Sequence, residues 1–178
     1  MDPQERNRAV ECLKRTRDEL IAAVQGLSES QMRFKPGPDR WSVADTLEHL
    51  AKSEDMVQRR VLHGLANSPA PPADHDRAKV DELMLTRIPL RTRKVEAPAS
   101  VRPEGACTST ESLDRFLASR AQSIATAEAA PGLREHAWDS PFGTKLDAYQ
   151  WLLFNASHSE RHTQQILELK SEADFPTK

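Results

Sequence analysis

The chain has 178 residues, 29% of them charged and 38% apolar, with a net charge of −2 and lysine and arginine spread along its whole length. That size supports one domain with its own hydrophobic core, and the scattered charges show no basic stripe of the kind by which proteins hold nucleic acid or anionic lipid, which argues against such binding. No apolar run approaches the ~20 residues that cross a bilayer, so neither a nucleic-acid nor a membrane partner is expected.

A first helix is expected over 3–26. Asp2 offers a capping side chain, Pro3 fits the first helical position and Glu5 places a carboxylate in the first turn. Val10, Leu13, Leu20, Val24 and Leu27 recur at three-four spacing, and Gly26 reads as the stop. A second helix over 42–65 starts on the capping box Ser42-Val43-Ala44-Asp45, carries the stripe Val43, Leu47, Leu50, Val57, Val61, and ends near Gly64.

Residues 66–108 form a long crossover that opens with a proline-rich run, Pro69 to Pro72. Val80, Leu83, Met84 and Ile88 predict a short amphipathic helix inside it, and a second proline-containing stretch runs from Pro98 to Pro103. A third long helix over 109–130 begins at the box Thr108–Glu111 and shows Leu113, Phe116, Leu117 and Ile124 on one face, with Pro131-Gly132 as its stop. The fourth, over 145–171, is expected to start at Thr144–Asp147, which has the same box pattern. No alternating run of β-branched residues appears, so no sheet is expected. The fold predicted is all-α: a four-helix bundle in a single domain over 1–178, with the long crossover and its extra helix between the second and third bundle helices.

The fourth helix is broadly apolar through Leu146, Tyr149, Leu152, Leu153, Ala156 and Leu167. A second seam on it reads Trp151, Asn155, His158, His162, Gln165, Leu169, apolar at both ends and polar in the middle. Polar groups inside a helix–helix seam need partners, because unpaired burial costs about 1–3 kcal/mol per group. His158 and His162 are i,i+4 neighbours, ~5–6 Å apart at Cβ, which lets two imidazoles grip one metal ion. The pair alone is a weak signal. For a third ligand, His63, His75 and His136 read as surface histidines, whereas His49 lies two turns into the second helix beside Asp45, Ser53 and Met56. Its position off the apolar stripe would by periodicity make it exposed.

The stretch from Leu27 to Leu50, containing Trp41-Ser42 and His49-Leu50, resembles the hallmark of the DinB-like superfamily, whose W-S-x-x-x-x-x-x-H-L pattern presents a first histidine. His158-Ser-Glu-Arg-His162-Thr-Gln-Gln165-Ile is similar to the second motif of that family, H-x-x-x-H-x-x-Q followed by an aliphatic residue. The two motifs span about 35 residues, and the helix order extends the likeness over nearly the whole chain. The resemblance implies one divalent metal ion, zinc or nickel foremost, held by His49, His158 and His162. It makes Gln165 a packing residue or a support for the ligands, and it implies a homodimer.

Relatives in such families include thiol-dependent transferases that use bacillithiol or mycothiol and a mycothiol-dependent isomerase. The resemblance thus implies a metal-dependent enzyme that transfers a low-molecular-weight thiol to a small-molecule electrophile in detoxification or stress response. A metal-dependent hydrolase and a non-catalytic metal-binding bundle are the alternatives. DNA association, suggested only by the family name, has no support in charge or motif.

Around the triad, Asp45 could orient His49, although its capping role is the simpler reading, and Glu48 points about 100° away and reads as a solvated charge. Asn155 is a ligand-contact candidate or a satisfied core residue. Trp41 and Trp151 could wall a pocket, although buried aromatics more often simply pack, and Arg40 and Arg161 could anchor an anionic substrate, with a solvated or ion-paired surface role the simpler reading. Cys12 and Cys107 are isolated and make no disulfide framework, and the charged N-terminus shows no signal peptide, so a cytoplasmic setting is expected.

Overall fold

Four amphipathic helices, each closed at its N-terminus by a side chain, set the architecture. The computed structural model describes residues 1–92 and 95–177. The long helices are α1 (Pro3–Val24), α3 (Val43–Asn67), α5 (Ser109–Ala129) and α6 (Ala148–Lys170). Between them lie the single-turn α2 (Glu29–Arg33), the crossover helix α4 (Arg77–Arg87), a 3-10 turn over Ala99–Val101, and two strands, β1 (Ala137–Asp139) and β2 (Lys145–Asp147). Asp2, Ser42 and Thr108 cap α1, α3 and α5 in reciprocal boxes with Glu5, Asp45 and Glu111, as their sequences require.

The fourth expected cap is displaced. Thr144 does not start a helix; Asp147 does, with Gln150 as its reciprocal partner. Residues 145–147 instead pair with 137–139 as a small antiparallel hairpin, Trp138 opposite Leu146, turned at Gly143 with φ +74°. Three-residue strands are too short for alternation to register, which is why no sheet was expected. Similarly, α2 is too short for a periodic signal, although Ser28 and Gln31 form a full capping box around it.

Gly64 is not a stop. α3 runs on to Asn67, and Gly64 is the place where the Trp138 ring of the hairpin lies against the helix backbone, filling the space a Cβ would need.

α1 packs against α6 and α5, and α3 packs against α5 and α6, so the order around the bundle is α1, α5, α3, α6. The consecutive pairs α1/α3 and α5/α6 therefore sit diagonally. The connections over 25–42 and 130–147 carry the chain across the bundle, whereas the longer 66–108 segment, whose length suggested such a crossing, joins the neighbours α3 and α5. The predicted crossover helix is α4, and its Val80 and Met84 pack against the core beside α6.

The interior has two apolar ends. One is built around Leu13, Val57, Val61, Met84, Tyr149 and Leu152, the other around Leu20, Leu47, Leu50, Phe116 and Ile166. Between them lies a polar layer centred on Arg120, which is fully buried. Its guanidinium donates to both Glu54 oxygens at 2.8 Å, to the Thr16 hydroxyl at 2.9 Å, to the Leu13 carbonyl at 3.0 Å, to the Ser159 hydroxyl at 2.6 Å and to the Asn155 carbonyl at 3.2 Å. One side chain on α5 thus ties α1, α3 and α6 together, and its donors are all spent. No described helix is long and apolar enough to cross a membrane.

Candidate metal centre

His49 on α3 and His158 and His162 on α6 meet where these two adjacent helices pack beside the polar layer. One ring nitrogen from each lies within 4.8 Å of the others. The His158 Nε2 stands 3.2 Å from His49 Nε2 and 3.1 Å from His162 Nε2. His49 and His162 are buried, and His158 is partly exposed. The position of His49 off the apolar stripe is explained by α3 burying two faces, one against α5 and one against α6.

The protons on these rings follow from their outer partners. His49 Nδ1 lies 2.8 Å from the Val101 carbonyl, which can only accept, so Nδ1 carries the hydrogen and Nε2 the lone pair. His162 Nδ1 lies 3.0 Å from Gln165 Oε1, and that oxygen also receives a bond from Arg91 at 3.2 Å. A guanidinium can only donate, so the Gln165 oxygen is fixed as an acceptor and His162 likewise turns its Nε2 lone pair inward. Two lone pairs then face His158 Nε2, which holds at most one hydrogen in a neutral ring.

At least one of the short N···N contacts therefore has no proton between its atoms, an arrangement that a shared cation relieves. Three imidazoles around a tetrahedral zinc ion would hold their nitrogens ~3.3 Å apart, close to the distances here. The donor set fits a divalent metal, with nitrogens that suit zinc, nickel, iron or copper. Burial pushes all three imidazoles below their usual pKa, His158 and His162 well below, and the neighbouring rings add to the effect on those two. Neutral imidazole is the metal-binding form.

Aromatic rings enclose the cluster. Trp41 packs 4.9 Å from the His49 ring and 6.1 Å from the His162 ring, as a wall residue should. The opposite wall is Phe154, stacked on His158 at 5.1 Å and covered by Phe142 of the hairpin turn at 5.2 Å. Trp151, a candidate for the wall, takes the simpler core role one layer back: it is buried, stacks on Trp138 at 6.4 Å and meets Phe154 edge-on. Its place on the seam aims it at the hairpin, so Phe154 takes the role.

Asp45 does not orient His49. Its carboxylate accepts from the Ser42 amide at 2.9 Å and pairs with Lys35 at 2.6 Å, and the Val101 carbonyl serves His49 instead. Glu48 is not a solvated charge. It is 3% exposed, accepts from the backbone amides of Glu104 and Gly105, and pairs with Lys52 at 2.9 Å. Asn155 is buried, and its amide nitrogen has no hydrogen-bond partner among the described residues.

Arg40 pairs with Glu172 at 3.0 Å, and Arg161 donates to the Leu90 carbonyl. His63 is exposed, His75 meets Gln150 and His136 meets the Ser68 carbonyl, all away from the triad. Sequence reasoning missed Val101, Arg91 and Phe154. A backbone carbonyl leaves no trace in a side-chain pattern, and Arg91 lies in the crossover, 74 residues before Gln165. Phe154 alone could have been found, one turn before His158 on the same helix face.

A four-helix bundle in crossed order, holding three convergent histidines between two neighbouring helices, defines the class of this protein. The model of the DinB superfamily matches residues 13–166, and the chain belongs to that superfamily. It is similar to the uncharacterized protein YuaE of Bacillus subtilis (strain 168), with 24% identity over 155 residues, which cover 85% of this chain and 90% of YuaE. Among solved structures it resembles YfiT from Bacillus subtilis, described as a probable metal-dependent hydrolase with an unusual four-helix bundle topology. The TM-score is 0.62 at 17% identity, over 96% of this chain and 88% of YfiT, a likeness of fold.

Proposed function

We propose that this protein is a metal-dependent enzyme that transfers a low-molecular-weight thiol to a small electrophile, with one divalent ion, zinc or nickel, held by the Nε2 atoms of His49, His158 and His162. The observation that carries the reading is the convergence of three ring nitrogens whose inward lone pairs have too few protons to separate them. Bound there, the ion supplies Lewis acidity, which lowers the pKa of a thiol or water and polarises an electrophile.

The residues of the chain do the positioning. The Val101 carbonyl and Gln165 fix two rings in the ligating tautomer, and Trp41 and Phe154 shield the cluster from bulk water. His158 is the partly exposed residue of the three, and we take substrate to approach the centre from its side. In the transfer the thiol proton leaves to solvent, a sulfur–carbon bond forms, and the carbon–leaving-group bond breaks with its electron pair on the leaving group.

Hydrolysis is the second reading, favoured by the description of YfiT. It calls for a general base, yet Asp45 is held in a helix cap and Glu48 is bound to backbone amides. A thiol, starting from a pKa of ~8.5 against ~15.7 for water, ionises at the same ion with less help and depends less on such a base, which is why we place transfer first. Cys12 and Cys107 are unpaired, which supports a reducing cytoplasmic setting, and the family likeness supports a homodimer.

Elemental analysis of wild type beside His49→Ala and His158→Ala tests the centre. About one equivalent of zinc or nickel in wild type, lost in both variants, is expected. Loaded protein is then incubated with low-molecular-weight thiols and a panel of electrophiles, and conjugates are read by mass spectrometry. Wild type that cannot be loaded overturns the reading, and turnover to hydrolysed product without conjugate moves it to hydrolysis.

A further inference from the structure

The backbone of the crossover passes over the metal centre at a point where the neighbour of a ligand holds it. Glu48, adjacent to His49, turns its carboxylate away from the triad and into the segment 101–105. It accepts from the Gly105 amide at 2.8 Å and from the Glu104 amide at 3.1 Å. Lys52, one turn on, pairs with Glu48 and donates to the Arg102 carbonyl at 2.9 Å. Three residues before the pinned amides, the Val101 carbonyl meets His49 Nδ1. Val101 itself is 3% exposed, inserted beside α3.

A buried carboxylate needs strong compensation, and backbone amides plus one ammonium supply it here. Nothing in α3 alone requires a carboxylate at this position, since the helix would form equally well with an apolar residue. What the carboxylate does is fix the height and direction of a loop that would otherwise be free to shift along the helix.

We propose that Glu48 is a positioning residue for the three-histidine centre, acting through the crossover: it pins Glu104 and Gly105, the pinned segment presents the Val101 carbonyl to His49, and that carbonyl holds the His49 Nε2 lone pair toward the ion. The proposal rests on the metal reading above for its effect on affinity, but its effect on the His49 tautomer stands without a metal. Docking of the crossover and loading of the centre are then coupled. Loss of a partner that orients a ligand typically weakens metal binding about 10–100-fold.

The test uses the full chain as wild type, Glu48→Gln and Val61→Ala. The Glu48→Gln change keeps the volume and one acceptor oxygen but loses the charge and the second oxygen. Val61→Ala removes core volume on the same helix, in the apolar end of the core away from the triad, and controls for loss of stability alone. Zinc affinity is measured by competition with a chromogenic chelator, and the tautomer of His49 in metal-free protein by long-range proton–nitrogen correlation.

Glu48→Gln is expected to bind zinc at least about 10-fold more weakly and to show a mixed His49 tautomer, whereas Val61→Ala melts lower with its affinity and tautomer unchanged. An affinity within twofold of wild type together with a fixed Nδ1–H tautomer in Glu48→Gln overturns the proposal. So does an equal loss of affinity in Val61→Ala. If wild type takes up no zinc, the metal reading falls instead, and the tautomer in Glu48→Gln still decides the role of Glu48.

Discussion

Arg120 and Glu54 meet in two parallel N–H···O bonds of 2.8 Å, with Arg120 fully buried and Glu54 only 2% exposed. Each charge answers the other, and the remaining donors of Arg120 are used by α1 and α6. Removing one partner strands the other in the core. Glu54→Ala is expected to cost about 3–5 kcal/mol in urea unfolding, and Glu54→Met with Arg120→Met to recover much of it. A single-variant loss below about 1 kcal/mol would show that water reaches the layer, against its burial.

Metal removal has a different signature. The two apolar ends of the core close without an ion, so chelated protein is expected to keep its helical circular dichroism and a cooperative melt. It melts lower only because the linkage stabilisation is gone, about 2.7 kcal/mol at a hundredfold excess of metal over Kd. Loss of the helical signal on chelation would mean that the ion builds the fold.

Acid acts on the crossover through Glu168. Arg91 grips this carboxylate with two nitrogens at 2.8–3.0 Å, and the guanidinium holds its carboxyl below the ordinary 4.5. The unfolded chain therefore takes up the proton first, and the contribution of the pair is present above about pH 4.5 and lost as pH falls below it. Glu168→Gln is expected to be less stable than wild type at pH 6, with the difference shrinking in acid. A gap that widens below about pH 4.5 would contradict the assignment.

At Gly64 the usual rule of helix propensity is reversed. An exposed mid-helix Gly→Ala change gains roughly 1 kcal/mol, but here the new methyl would overlap the Trp138 ring. Gly64→Ala is expected to lose about 1–3 kcal/mol in thermal or urea unfolding, with the indole fluorescence shifted as Trp138 moves.

Much of this was legible in the chain. Asp2, Ser42 and Thr108 named three helix starts correctly because a capping box is a local contract between a side chain and nearby amides. Thr144 offered the same letters and failed, because residues 145–147 had a partner strand in 137–139 that no local pattern announces. The polar middle of the α6 seam also declared that buried partners exist.

What stayed hidden depends on distant chain. A helical wheel gave Glu48 to solvent because it shows one helix at a time, while the covering backbone arrives 56 residues later. The Glu54–Arg120 pair was hidden for a similar reason: a search for apolar stripes reads both as surface charges, and only the approach of α3 to α5 makes them interior.

His49 and His158 stand 109 residues apart in sequence and share one cluster. Two of the three nitrogens ride on α6, so the cluster does not exist until that helix has been made. During synthesis the first three long helices emerge with a single ligand among them, too few to hold an ion firmly against the thiols and chelators of a cell. On the metal reading proposed above, loading waits for α6, and a chain cut short before α6 carries one histidine of the cluster rather than three.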